Sequence, residues 1–282
     1  MGFDSYHWRE FPLTDPQLAE HRTKLASGRG GPEDFLALLY SGDPVAVGIA
    51  LDHYKQAEAL TRFGDSRIPY GEYEGAVRET ARRVLAEPPY PARDEGEDEW
   101  GLNHASALLA LAHVATAEDG DCIADVLRSR PSPAVMNAAG QAAARVLTAA
   151  REPDGKLVDA LGVVLLDESR RTRDRLDALG AFRYVKGERI GDILVRAGRT
   201  RDETVQAEVV AVLVGNHLAS RLDVIKKITQ AWTPNPSRLR ERILRALEAA
   251  ERASHGDQGT SSHQEVSSRQ GQTGGEKRDP LR

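Results

Sequence analysis

The sequence predicts an all-α protein, an α-solenoid of stacked antiparallel helix pairs. The first observation is a two-helix unit that returns every 33 to 37 residues between about residues 132 and 252. Its helix starts fall at Ser132-Pro133, Ser169, Arg201-Asp202 and Asn235-Pro236. The second is that the helices opened there carry matching apolar columns. Val135, Ala139 and Ala142 align with Thr172, Leu176 and Leu179, then with Val205, Val209 and Val212, and finally with Leu239, Ile243 and Ala246. The third is a scarcity of aromatic residues, 5% of the chain, beside abundant Ala, Arg and Gly. That bias suits thin helix-on-helix layers, and a GC-rich, actinobacterial-type genome writes it too. A fixed period of this length means that each pair buries its apolar face against its neighbours.

Residues 1–42 read as an N-terminal cap segment. Phe3, Tyr6, Trp8 and Phe11 crowd its first dozen residues, and an end repeat needs a cover for its apolar face. Helices are expected from Asp15 to Ala26 and from Pro32 to Tyr40. The repeat array then occupies residues 43–252. It opens at Asp43-Pro44, where Asp supplies a capping oxygen and Pro suits the first helical position. Val47, Leu51 and Tyr54 share one face of that helix. Its partner runs from about Gly71 to Ala86, with Val77, Ala81, Val84 and Leu85 inward, and Pro88-Pro89-Tyr90-Pro91 ends it. An acidic loop near 87–100 follows, with Asp94-Glu95-Gly96-Glu97-Asp98-Glu99 leading to Trp100. Further helices are expected at about 103–116, 118–129, 133–150, 155–167, 170–184, 188–198, 202–218, 220–231 and 236–252. Thr200 to Glu203 fits a capping box. Residues 253–282 hold only Val266 and Leu281 as large aliphatics, too little to offset chain entropy, and read as a disordered tail.

Certain stretches resemble HEAT repeats. Ile123-Ala124-Asp125-Val126-Leu127 before Ser132-Pro133-Ala134-Val135 is similar to the family's second helix, turn and next first helix. Leu161-Gly162-Val163-Val164-Leu165-Leu166-Asp167-Glu168, followed by Arg173, Leu176 and Ala178-Leu179-Gly180, resembles it more closely. The 103–116 pair departs from the pattern, because the Asp and Arg expected near its turn are missing. The resemblance implies a right-handed HEAT-like solenoid acting mainly as a scaffold. Iron-binding hydroxylases of similar fold use repeated His-Glu dipeptides, and none of the eight histidines here precedes a glutamate.

No chemical motif stands out. Gly28-Arg29-Gly30-Gly31 lacks the Lys-Ser/Thr of a phosphate loop. Neither a Gly-x-Ser-x-Gly elbow nor a His-Glu-x-x-His helix is present. His104 and His113 lie nine residues apart on different sides of one helix. Cys122 is the sole cysteine, so no intrachain disulfide or cysteine metal cluster is available. No catalytic residue, cofactor or metal is therefore expected. The apolar runs are too short to cross a bilayer, and no signal-peptide pattern opens the chain; a cytoplasmic location is expected.

Candidate binding residues are two arginine clusters and two tryptophans. Arg170, Arg171, Arg173 and Arg175 open one outer helix, and Arg238, Arg240, Arg242 and Arg245 line another. Cations in a first turn oppose the helix dipole, so they read either as an anion patch or as a solvated charged face. Trp100 is expected to anchor the acidic loop, and Trp232 to plug the last two pairs. Residues 1–100 carry 11 Lys/Arg against 19 Asp/Glu, and residues 101–252 carry 23 against 20. A dedicated nucleic-acid binder shows a stronger basic excess. The expected function is thus a non-catalytic scaffold or adaptor for another protein. The alternative is a nucleic-acid-binding array, DNA-glycosylase-like in its chemistry. Its candidate acids, Asp125, Asp159, Asp192 and Asp223, recur at equivalent inner-helix positions, a pattern that reads as structural.

Overall fold

The computed structural model describes residues 8–62, 68–94, 98–150, 155–232 and 237–260, all in helices, turns and connecting segments with no strand among them. Phe3, Tyr6, residues 95–97 of the acidic run, Asn235-Pro236 and residues 261–282 lie outside the described residues. The chain forms two compact units, Met1–Ile228 and Thr229–Arg282. No composition shift in the sequence marks that boundary.

The first unit opens with α1 (Pro16–Ala26) and α2 (Pro32–Leu39), then α3 (Pro44–Arg62). Local capping sets these starts. Asp15 Oδ1 accepts the Gln17 N–H at 2.8 Å, and Asp43 Oδ1 accepts those of Val45 and Ala46 at 2.8 and 2.9 Å. A short 3₁₀ turn (Tyr70–Tyr73) leads into α4 (Glu74–Ala86). There follow α5 (Leu102–Val114), α6 (Gly120–Arg128), α7 (Pro133–Ala149), α8 (Gly155–Leu166), α9 (Thr172–Ala181) and α10 (Glu188–Ala197).

These helices pack in two rows. One runs α3, α5, α7, α9 and the other α4, α6, α8, α10, each helix lying against the next of its row. Contacts of α4 with α5, α6 with α7 and α8 with α9 join the rows. α5 touches α3, α4 and α7 at once. Accordingly Leu102, Ala105, Ala107, Leu108, Leu109, Ala110 and Leu111 are all buried. A helix that is apolar all round belongs in such an interior position, which explains why this stretch departs from the amphipathic repeat.

Trp8 is fully buried. It wedges between α3 and α5: its indole N–H donates to Ser106 Oγ at 3.0 Å and its ring stacks on Tyr90 at 6.3 Å. A Cβ at position 48 would overlap that ring, so the wedge fits only because α3 carries Gly48 there. Arg22 on α1 donates to the Trp8 and Phe11 carbonyls, both at 2.8 Å, and ties the segment down. Phe35, Tyr54, Tyr70 and Tyr73 form a separate aromatic cluster nearer the first helices.

Four expectations need correction. α9 departs from the predicted column at its start: Thr172 is exposed and Leu176 half-buried, whereas Leu179 is buried as expected, together with Asp174, Ala178 and Ala181. Ser169 does not cap it. Its N–H and hydroxyl are taken by Asp167 Oδ1, at 3.0 and 2.6 Å, in a turn that delays the helix to Thr172. The predicted capping box at Thr200 is replaced by Asp202, whose Oδ1 accepts from Thr204 and Val205 at 3.0 and 3.1 Å. The two helices expected at 202–218 and 220–231 form one, α11 (Glu203–Gln230).

That helix is sharply bent. Gln206 Nε2 donates to the Gly198 carbonyl at 3.2 Å, while Ile228 Cδ1 lies 2.9 Å from where a Gly198 Cβ would sit. Twenty-two residues of straight helix would separate Gln206 from Ile228 by about 33 Å. Its first limb lies on α9, with Asn216 Nδ2 donating to the Arg183 carbonyl at 2.7 Å, and its second limb lies beside α10. Finally, α12 (Arg238–Thr260) in the second unit runs past the expected helix end at 252, into the segment read as tail.

Two predictions follow from this packing. Gly48→Ala should lower stability by about 1–3 kcal/mol through overpacking, whereas Gly180→Ala, with open space at its Cβ, should leave it unchanged or raised; urea melts compare them. His53 is 7% exposed, and burial pushes it from its ordinary 6.5 down to about 4. As pH falls through that window the unfolded state takes up the proton first, so stability held above pH 6.5 drains away toward pH 4, by about 3 kcal/mol. His53→Leu should flatten that slope in melts taken across the range.

Candidate interaction surface

The second row, α4, α6, α8 and α10, turns its buried residues toward the first row and leaves one face to solvent. On successive helices, exposed positions fall in files, at equivalent positions for the aspartates and shifted by a residue at some helices in the other two. Asp121, Lys156, Arg189 and the partly exposed Arg221 form the first, Asp125, Asp159, Asp192 and Asp223 the second, and Arg128, Val163, Arg196 and Lys227 the third. Ion pairs crossing from helix to helix establish that the files are adjacent. Lys156 Nζ lies 2.6 Å from Asp121 Oδ2 and Arg189 NH2 lies 2.5 Å from Asp159 Oδ1. Arg221 on α11 reaches Asp192 Oδ1 at 2.8 Å and pairs with Glu188 as well. At the other end Arg82 Nε meets the fully buried Asp119 carboxylate at 2.6 Å.

Asp121, Asp159 and Asp192 are thus each bonded to a base from the next helix, and Asp125 to Arg128 three residues on, at 2.8 Å. Exposed pairs of this kind contribute about 0–1 kcal/mol apiece. Their effect is to hold a pattern of charge on the surface. Val163 interrupts the third file at 62% exposure, a large apolar side chain open to solvent.

A pocket of about 360 Å³ opens where α4, α5 and α6 meet, lined by Arg82, Leu85, Ala86, His104, Cys122, Asp125, Val126 and Ser129. Burial pushes the Cys122 thiol up to about 11, and Cys122 Sγ donates to the Asp119 carbonyl at 3.1 Å. Burial also holds His104 below its ordinary value, and its Nε2 donates to the Glu87 carbonyl at 2.9 Å. A thiol held protonated is a poor nucleophile. Among the described residues no group of three or more His, Cys, Asp and Glu is placed to hold a metal, and no helix is long and apolar enough to cross a membrane.

The arginines singled out from the sequence do not act as one patch. Arg175 is 2% exposed: its Nε donates to the Leu165 carbonyl at 2.9 Å and its NH2 to Thr200 Oγ1 at 2.8 Å. Thr200 in turn donates to Glu168 at 3.0 Å, a bond that holds the Glu168 carboxyl below its ordinary range. Arg175 thus ties the end of α8 to the turn before α11. Arg171 forks onto Asp174 at 3.0 and 3.2 Å, Arg173 lies 3.2 Å from Asp177, and Arg170 is 3.7 Å from Asp167. Arg173 and Asp177 also line a pocket of about 250 Å³ with Arg183 and Glu208, where acids offset the bases. Burial raises the Asp177 carboxyl.

In the second unit Arg240 lies over the Trp232 ring, 4.9 Å from its centre, with Arg238 and Arg242 exposed. Trp100 carries Arg93 over its ring at 5.3 Å, and its carbonyl accepts from Ser132 Oγ at 2.7 Å. Sequence reasoning missed Val163 and the cations that pair the aspartate file. An exposed valine carries no sequence signal, and the cations come from neighbouring repeats. Compared with known proteins, the chain matches no family model and no curated relative.

Arg175→Ala should cost about 3 kcal/mol, through the lost bonds and an unsatisfied carbonyl. Arg173→Ala, whose side chain is 74% exposed, should cost under about 0.5 kcal/mol by the same thermal melts.

Proposed function

We propose that this chain is a HEAT-like α-solenoid that acts as a protein-binding scaffold, with the exposed face of α6, α8, α10 and the second limb of α11 as its binding surface. The observation that carries this reading is the mixed character of that face. A nucleic-acid groove needs continuous positive charge, and here four aspartates recur on α6, α8, α10 and the second limb of α11. Opposite charges at fixed spacing, with Val163 between them, suit a folded protein that matches both signs and covers one apolar side chain. The two-row stacking and the recurrent helix pairs support the HEAT-like solenoid.

The test places a photo-crosslinking phenylalanine analogue at position 163 in the native host. A discrete protein adduct that disappears when the analogue is moved to the exposed Arg173 is the expected result. Adducts from position 173 alone, from neither position, or to nucleic acid would overturn the reading.

A further inference from the structure

α11 turns a corner where the preceding helices have a connecting turn. α9 and α10 are joined through residues 182–187, whereas the two limbs of α11 meet without leaving the helix. Contacts place that corner between Asn216 and Arg221. Asn216, closing the first limb, donates to the Arg183 carbonyl at the end of α9, at 2.7 Å. Arg221, opening the second limb, pairs with Glu188 and, at 2.8 Å, with Asp192, both on α10. His217 lies in the corner and is 7% exposed. Gly191 on α10 makes the room for it, since a Cβ there would stand 3.4 Å from both His217 Nδ1 and Arg221 Nε.

His217 Nε2 is buried with no hydrogen-bond partner among the described residues. A neutral imidazole can leave that nitrogen as a bare lone pair. An imidazolium cannot, because both its nitrogens carry N–H donors, and a buried donor without an acceptor bears the cost of its lost hydration. The charges around the ring also oppose a proton. Arg221 on the second limb and Lys186 in the turn before α10 are cations, set against Glu188, which Arg221 already engages together with Asp192. Burial first, and then Arg221, hold His217 below its ordinary 6.5.

The two limbs are not held equally. Val205, Val209, Val210, Val212 and Leu213 are buried on the first, Ile225 and Ile228 on the second. The second limb is the one that yields when the ring must reach water. We propose that the corner of α11 is a pH-sensitive hinge, in which protonation of His217 releases the second limb from α10 and leaves the first limb on α9. Once released, the ring is hydrated and titrates near its ordinary value. The closed corner is therefore stabilised above that pH and loses this stabilisation as pH falls below it. At about pH 5 opening is favoured by up to about thirtyfold over its level at neutral pH. The second limb carries Asp223 and Lys227 of the exposed face, and the hinge stands whether or not that face binds a protein.

The test is hydrogen–deuterium exchange of the full chain at about pH 7.5 and about pH 5, with protection corrected for the intrinsic pH dependence of amide exchange. Peptides from the second limb should lose roughly fivefold to thirtyfold in protection at the lower pH, while those from α9 and the first limb keep theirs. His217→Phe removes the titrating nitrogen and should abolish the loss. His217→Gln, polar but not titratable, serves as the second variant should phenylalanine not fit the corner, and circular dichroism at the higher pH checks that each variant folds. Second-limb protection indifferent to pH, a loss shared equally by α9 and the first limb, or a loss that persists in a folded variant overturns the inference.

Discussion

Shared burial is the constraint on which the rest of this molecule depends. Within the α3–α10 stack the inner helices do not hide their apolar sides on one partner alone; α5, α6, α7 and α8 each pack on the helix before and the helix after in their row. α5 shows the limit, touching three helices and keeping almost no exposed side chain. The hydrophobic gain of such contacts, about 25 cal/mol per Å² of apolar area, accrues along the rows as well as between them. Losing one contact therefore weakens its neighbours.

Stacking also determines what is left outside. Because the first row covers one side of α4, α6, α8 and α10, their remaining face repeats at the interval of the stack, and any residue type recurring at one position becomes a file. Lone exposed charges would give a diffuse surface. Stacked charges give stripes, and the cross-helix pairs from Lys156, Arg189 and Arg221 hold those stripes in register. The outer arginine cluster follows a different logic. Arg175 and Asp174 are drawn inward to satisfy turns, which removes them from any surface.

Much of the fold was legible because it is set locally. Asp15 and Asp43 with their following prolines start helices through bonds spanning two or three residues, and the apolar columns of α7 and of the first limb of α11 follow from a 3.6-residue period. The failures share one cause, competition by partners remote from the pattern or invisible to it. Ser169 looks like a cap until Asp167 takes its donors. Arg175 looks like surface until the Leu165 carbonyl and Thr200 hydroxyl are seen around it. The seat of Trp8 could not be read locally, because its indole bonds Ser106, ninety-eight residues away. The aspartate file was visible as repetition, but its pairing needed the stack.

The most direct test of the account is hydrogen–deuterium exchange read peptide by peptide, on the free chain and on its complex with the cross-linked partner. In the free chain α5 and α7 should exchange slowest. On binding, protection should rise along α6, α8 and α10 together and leave α7 and α9 unchanged. Protection gained on α7 and α9 instead, or confined to a single helix, would contradict a binding surface made by the stack.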